Sequence, residues 1–258
     1  FINKSLKLNN TQFIPIDSEH YSIWSLLKNE NLKNINKIYL TASGGPFLNK
    51  NMSNVKNTKA KHAIKHPNWK MGKKISVDSA TMMNKVFEII EAIKIFELNK
   101  NKFEIIIHPK SFVHAIVHFK TGITKILAHE TSMEIPIFNS LHQNHESFIY
   151  NTKKFKFSNL NGINFIEPDN KKFPFLNLLK NFNNKNSYFE TILIALNDGL
   201  VKKYLNDEIS FISLQKNLIK LIKHQYFRKY YYLSPNNIND IKNMVKKVNT
   251  FLNKIRLN

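Results

Sequence analysis

The sequence predicts an α/β domain of the α+β kind with a mixed sheet, followed by an all-α helical domain. Three observations carry this. Short apolar runs bounded by turn residues, at 38–40, 103–107 and 112–128, flank a long helical pattern over residues 78–96. Periodicity is lost over 142–175, a stretch rich in Asn, Lys and Phe and broken by Pro168 and Pro174. From 175 onward the apolar stripes have helical spacing, over 175–182, 187–205, 211–224 and 237–256, the last introduced by Ser234-Pro235. The expected division is a first domain over 1–142, a linker over 143–175 and a helical domain over 176–258, whose helices carry few convergent polar groups and read as scaffold.

In chain order, Phe13-Ile14-Pro15-Ile16 reads as a strand leading into Asp17-Ser18-Glu19-His20. In an extended segment Asp17 and Glu19 point to the same side. Two adjacent carboxylates repel unless a cation sits between them, and all-oxygen ligation favours a hard divalent ion such as Mg²⁺ or Mn²⁺. A helix N-cap for residues 21–27 explains the same residues. The strand at 38–40 ends in Thr41-Ala42-Ser43-Gly44-Gly45-Pro46, where two glycines let backbone approach a ligand and Ser43 can donate to a phosphate; a plain turn fits equally. Residues 48–64 are polar and read as loop and a short helix.

The densest chemistry lies in 66–88, HPNWKMGKKISVDSATMMNKVFE. An extended Ile75-Ser76-Val77 is expected to enter a helix capped by Asp78 or Ser79. Met82, Met83, Val86, Ile89, Ile90, Ile93 and Phe96 form its buried face. Asn84, Lys85 and Glu88 gather toward one edge, with Glu88 reachable from both. Serine, asparagine and lysine in the first turns suit a phosphate, through N–H groups, dipole and ammonium together. A carboxylate one turn further in suits a metal or a proton-transfer group. On spacing alone, a capped amphipathic helix with a solvated edge accounts for the same pattern. After a strand at 103–107, residues 112–128 turn at Gly122 and read as a hairpin. His108, His114 and His118 lack carboxylate or cysteine support for a metal and read as structural.

Among 258 residues, 42% hydrophobic content suffices for a real core. Cysteine is absent, which excludes disulfides and thiolate metal sites. No run of 18 apolar residues occurs, so no transmembrane helix is expected. The first residues, FINKSLKLNN, lack an initiator Met and an apolar signal core, so the chain is expected to begin inside a longer gene product. The net charge of +21 invites a nucleic-acid reading. Of 39 basic residues only Arg228 and Arg256 are arginines, however, and arginine supplies the bidentate fork that phosphate and base edges favour. A chain rich in Lys, Asn, Ile and Phe is what an AT-rich genome writes onto any surface, and no nucleic-acid partner is expected.

Taken together, PIDSEH, LTASGGPF, the 66–88 stretch and IHPKSFVHAIV resemble the 1-deoxy-D-xylulose 5-phosphate reductoisomerase family, strongly to about residue 140 and weakly after it. That family joins a Rossmann-like NADPH domain, a catalytic α/β domain and a C-terminal helical domain, and this chain resembles the last two. The glycine-rich nucleotide motif and the family's upstream Asn-Lys-Glu segment are absent from it. The resemblance implies Asp17, Glu19 and Glu88 as ligands of Mg²⁺ or Mn²⁺. It sets Ser18 and Glu19 at the substrate's carbonyl and hydroxyl side, and Ser43, Ser79, Asn84 and Lys85 at its phosphate. Glu19 and His66 become the catalytic residues, Trp69 and Met71 belong to a mobile flap, and Gly72 falls where that flap touches NADPH. It further implies 1-deoxy-D-xylulose 5-phosphate as substrate, a skeletal rearrangement followed by hydride transfer, a homodimer, and a bacterial cytoplasm, or a plastid in a eukaryote. Two segments depart from the family pattern. His129-Glu130-Thr131-Ser132-Met133-Glu134 stands for Gly-x-Pro-Asp-Met-Arg, and Leu196-Asn197-Asp198 for Ala-Asn-Glu. The isolated chain is expected to be inactive, and a non-catalytic remnant that binds phosphosugar and metal is the alternative.

Overall fold

The computed structural model describes residues 1–143, 150, 157–182 and 186–256. Helices α1 (Ile2–Leu8) and α2 (Ser18–Leu27) precede strand β1 (Ile35–Ala42), and short α3 (Met52–Val55) and α4 (Ala60–Ala63) lead to α5 (Lys73–Thr81) and α6 (Met83–Phe96). Strands β2 (Phe103–Ile107), β3 (Val113–Phe119) and β4 (Thr124–Ala128) follow, then α7 (Glu134–Leu141). The helical half holds α8 (Tyr188–Leu205), α9 (Phe211–Ile222), α10 (Gln225–Arg228) and α11 (Ile238–Lys254). Among the described residues, no helix is long and apolar enough to cross a membrane.

Packing separates two compact units, residues 1–44 with 87–168, and residues 45–86 with 169–258. This cuts the chain differently from the division at 142 and 175, because 45–86 packs with the helical half. The expected linker is also partly structural. Ile166 bridges Ile107, and the two exchange backbone hydrogen bonds of 2.8 and 2.9 Å. Residues 144–149 and 151–156 of that linker lie outside the described residues.

In the first unit the sheet order is β2-β1-β3-β4, with β1 parallel to β2 and antiparallel to β3, and β3 antiparallel to β4. The sheet is therefore mixed, as the sequence predicts. Parallel neighbours need a long crossover, and the chain from Ser43 to Lys102 supplies it. β3 is central and almost continuously buried, while α2 packs on it with Ile23 and Leu27. The hairpin at Gly122 forms as expected. Residues 13–16 form no strand. Phe13 and Ile16 are exposed, and Pro15 offers no amide to a ladder. The chain instead enters α2, where Asp17 caps the helix by accepting from the N–H groups of Glu19 and His20 at 3.1 and 3.2 Å.

In the second unit α8 is the hub, its Ile192, Leu193, Leu196 and Leu200 buried, with α9 and α11 packed on it. Met244, Val248 and Leu252 form the single apolar stripe of α11. Gly199 lets α11 come close, since a Cβ there would lie 2.4 Å from the Leu252 side chain. Pro174–Asn181 is a 3-10 segment where an α-helix was expected.

Two expectations for the central stretch are corrected. Ile75-Ser76-Val77 is helical, because Ser76 and Val77 are fully buried in the second unit, where α5 packs on α8, and that burial overrides β propensity. Asp78 and Ser79 accordingly lie inside α5, whose N-cap is Gly72. The expected single helix is two, broken at Met82, whose φ of 62° is left-handed. Gly45 also sits in the left-handed region at φ 67°, and a Cβ there would meet the Ser79 carbonyl oxygen at 2.8 Å. Gly45→Ala should therefore lower stability by about 2 kcal/mol or more, read from urea unfolding, since left-handed strain of about 1–2 kcal/mol adds to a backbone clash. A change within ±0.5 kcal/mol would show that the loop relaxes at no cost.

Candidate metal centre and phosphate-binding segment

Asp17 at the cap of α2, Glu19 in its first turn and Glu88 in α6 each offer a carboxylate oxygen, and the three atoms lie within 4.8 Å of one another. Glu88 is only 4% exposed, whereas the Asp17 side chain is 44% exposed. Asp17 and Glu19 reach one place through a helix start and not through an extended strand, the cap geometry turning both carboxylates together. Like charges at this spacing repel, and a divalent cation relieves the repulsion. Three carboxylates without sulfur or imidazole suit Mg²⁺ or Mn²⁺. Ser18 is buried beside them and donates its hydroxyl to the Glu19 carboxylate.

Sequence reasoning missed His20. It is 2% exposed, its Nε2 lies 2.9 Å from the Glu88 backbone oxygen, and its Nδ1 is 3.5 Å from the Asp17 carboxylate. The carbonyl can only accept, so Nε2 carries the proton and Nδ1 faces the acid. Thus one imidazole ties α2 to the α6 backbone beside the triad. Its signal in the sequence is the i, i+3 spacing from Asp17. His108, His114 and His118 each have a separate oxygen partner, respectively Asn164 O, His129 O and Thr124 Oγ1, in keeping with structural roles. His129 stacks on His114 with centroids 3.7 Å apart, and burial pushes its imidazole pKa down against the pull of Glu130 and Glu19.

In the second unit, Asn84 and Lys85 occupy the first turn of α6, and Lys85 is 5% exposed although charged. The break at Met82 gives α6 its own N-terminus, so these two residues stand where N–H groups and dipole favour an anion. Ser79 lies half-buried in α5. The His66 Nδ1 accepts backbone N–H bonds from Asn68 at 3.2 Å and Trp69 at 2.9 Å. Neutral His66 therefore carries its proton on Nε2, as a donor. Burial, helped by the Lys85 charge, pushes its pKa down to about 4. Trp69 and Met71 are half-buried, and Gly72 is exposed with open space around it. Ser43 belongs to the first unit, half-buried just after β1.

Residues 13–96 match the family model described as the 1-deoxy-D-xylulose 5-phosphate reductoisomerase C-terminal domain, and residues 129–251 match the DXP reductoisomerase C-terminal domain. The chain belongs to the 1-deoxy-D-xylulose 5-phosphate reductoisomerase family. It is 51% identical over 243 residues to the reductoisomerase of Pelagibacter ubique (strain HTCC1062), covering 94% of this chain and 62% of that protein. It is 43% identical over 213 residues to that of Wolbachia pipientis wMel, covering 82% and 54%. Its fold is similar to the crystal structure of DOX-P reductoisomerase in complex with NADPH, fosmidomycin and magnesium, with a TM-score of 0.87 and 29% identity, covering 98% of this chain and 65% of that one. The chain spans less than two thirds of the length of each of these relatives.

Where the reductoisomerase family pattern shows Ala-Asn-Glu, Asn197 and Asp198 of α8 hold α5 in place. Asn197 Nδ2 donates to Asp78 Oδ1 at 2.8 Å, and the Lys74 ammonium lies 2.7 Å from Asp78 and 2.9 Å from Asp198. Asp78 is 1% exposed, and burial raises its pKa while Lys74 and Asn197 pull it back. The helices of the last domain therefore do more than fill space, since α8 fixes the helix that carries Ser79. Asn197→Leu should cost about 1.5–3 kcal/mol in urea unfolding, because a buried carboxylate loses a hydrogen bond. An unchanged midpoint would remove Asn197 from this role.

His66 sets a pH dependence of known sign. Its pKa is about 4 folded against 6.5 unperturbed, so between these values the unfolded chain takes up a proton and the folded one does not. Its contribution is complete above pH 6.5 and lost as pH falls toward 4. Over that window the native chain should lose more stability than His66→Gln. Equal losses would show that His66 titrates normally in the fold.

Proposed function

We propose that this chain is the metal- and phosphosugar-binding portion of an NADPH-dependent reductoisomerase that converts 1-deoxy-D-xylulose 5-phosphate to 2-C-methyl-D-erythritol 4-phosphate in non-mevalonate isoprenoid biosynthesis. The observation that carries it is the oxygen triad of Asp17, Glu19 and Glu88, within 4.8 Å, in a chain of the reductoisomerase family. The donor set fits a hard divalent cation. Such a cation, when bound, supplies Lewis acidity toward a ketone oxygen and its neighbouring hydroxyl.

The protein's own groups do the rest. Asp17, Glu19 and Glu88 would hold the cation, and Ser18, bonded to Glu19, orients that carboxylate and meets the substrate's oxygens. Ser43, Ser79, Asn84 and Lys85 take the phosphate. Lys85 and Glu88 lie one turn apart in the sequence of α6. Neutral His66 donates from Nε2 to a substrate oxygen, and Trp69 and Met71 exclude water when the flap closes. Gly72 leaves room for the nicotinamide cofactor, since nothing lies within 4 Å of its Cβ direction. A homodimer in a bacterial cytoplasm completes the proposal, supported by the edge position of β4 and the exposed Ile123 and Ile126 on that hairpin.

The test is calorimetry of the 258-residue chain with a phosphonate-hydroxamate mimic, with and without Mn²⁺, read beside NADPH absorbance. Binding is expected only with metal, without NADPH oxidation. Metal-independent binding would overturn the carboxylate assignment, and NADPH oxidation would mean the nucleotide site is misplaced. Glu88→Gln should weaken Mn²⁺ binding by roughly tenfold or more, the loss that even an outer-shell substitution brings. Unchanged Mn²⁺ affinity in a folded Glu88→Gln chain would exclude Glu88 as a ligand.

A further inference from the structure

We propose that the helical unit carries a second anion site, centred on Arg228, for a small molecule with a carboxylate or phosphate beside a compact apolar body. A cavity of about 480 Å³ opens there, within the range of small-molecule pockets of roughly 300–1,000 Å³. Phe189 and Ile222 give it an apolar wall, and Arg228 and Lys223 line it with positive charge. Among the described residues no carboxylate lines it. Among the described residues neither the Arg228 guanidinium nor the Lys223 ammonium has an ion-pair partner.

The walls are set before any ligand arrives. The Tyr231 hydroxyl donates to the Ile222 carbonyl at the end of α9, and its ring meets Phe189 edge-on at 5.2 Å. Ser187, 8% exposed, accepts from the Phe189 N–H at 3.2 Å and donates to Glu190 at 2.9 Å. Burial pushes the Tyr231 hydroxyl pKa well up, and the charge of Arg228 pulls against it, so that charge is felt inside the cavity. Groups held this way lose little further freedom on binding.

Composition supplies an independent argument. Of 39 cationic side chains only two are arginine, so at nearly every position lysine serves. Arg228 lines this cavity where a lysine would keep the charge but not the planar fork. The fork suits a carboxylate or phosphate gripped through two parallel N–H bonds. Neither Arg228 nor Lys223 belongs to the metal centre or the phosphate-binding segment.

Calorimetry in EDTA, which silences any metal-dependent phosphosugar binding, tests the site with two probes, benzoate and phenyl phosphate. At least one should bind, and the preference tells carboxylate from phosphate. Arg228→Lys is an exposed, charge-conserving change that leaves the fold intact by circular dichroism, and it should weaken that binding by roughly tenfold. Failure of both probes to bind, or equal binding by Arg228→Lys, would overturn the proposal, the latter meaning an adventitious additive only. Neither result touches the metal-dependent reading above.

Discussion

The arrangement of the candidate groups depends on one backbone reversal. Met82 sits at φ 62°, a conformation that costs a side-chain-bearing residue about 1–2 kcal/mol. Two neighbouring side chains offset it. Met82 is 2% exposed and Met83 fully buried, and burial of one such side chain contributes about 1.5–3 kcal/mol. Burial wins, and α5 and α6 become separate helices. Had the helix run through, Asn84 and Lys85 would lie in its interior, where every N–H is already bonded to a carbonyl one turn back. The reversal makes them a first turn.

The charge pattern has a similar local logic. A chain with 39 basic and 18 acidic residues repels cations at long range, yet three of its few acids converge within 4.8 Å. At physiological salt the Debye length is about 8 Å, so a cation near the triad feels the nearby carboxylates far more than the distant lysines. The proposed phosphosugar ligand, being anionic, would meet the opposite balance and be drawn by the overall field. The lysine-rich surface and the acidic centre need not conflict.

Much of this could be read from the sequence, and what could not has a physical reason. β1, β2, the Gly122 hairpin and the long helices announce themselves through periodicity and turn residues, which are local. The residues of the triad were visible as an acidic pair near a helix start and a carboxylate amid apolar helix positions. The Met82 reversal was invisible, since Thr81-Met82-Met83 holds no glycine or proline and its cause is tertiary burial. The strand expected at 13–16 failed because apolar content alone does not supply a ladder partner. His20 and Asp78 went unrecognised as anchors because their partners, Glu88 and Asn197, are 68 and 119 residues away.

The interleaved division of the chain has a consequence for biosynthesis. Residues 45–86 belong with 169–258, while the stretch between them builds the other unit. On the ribosome, at roughly 5–20 residues per second, α5 and the start of α6 must wait several seconds for α8 to emerge. During that wait the apolar faces of Val77, Ala80 and Met83 lack their final cover, whereas the sheet can already close around β3. Interleaving of this kind delays completion of the second unit until its later helices are made. Synonymous codon changes that slow translation between Phe87 and Pro168 would lengthen that exposure and lower soluble yield without altering a single residue.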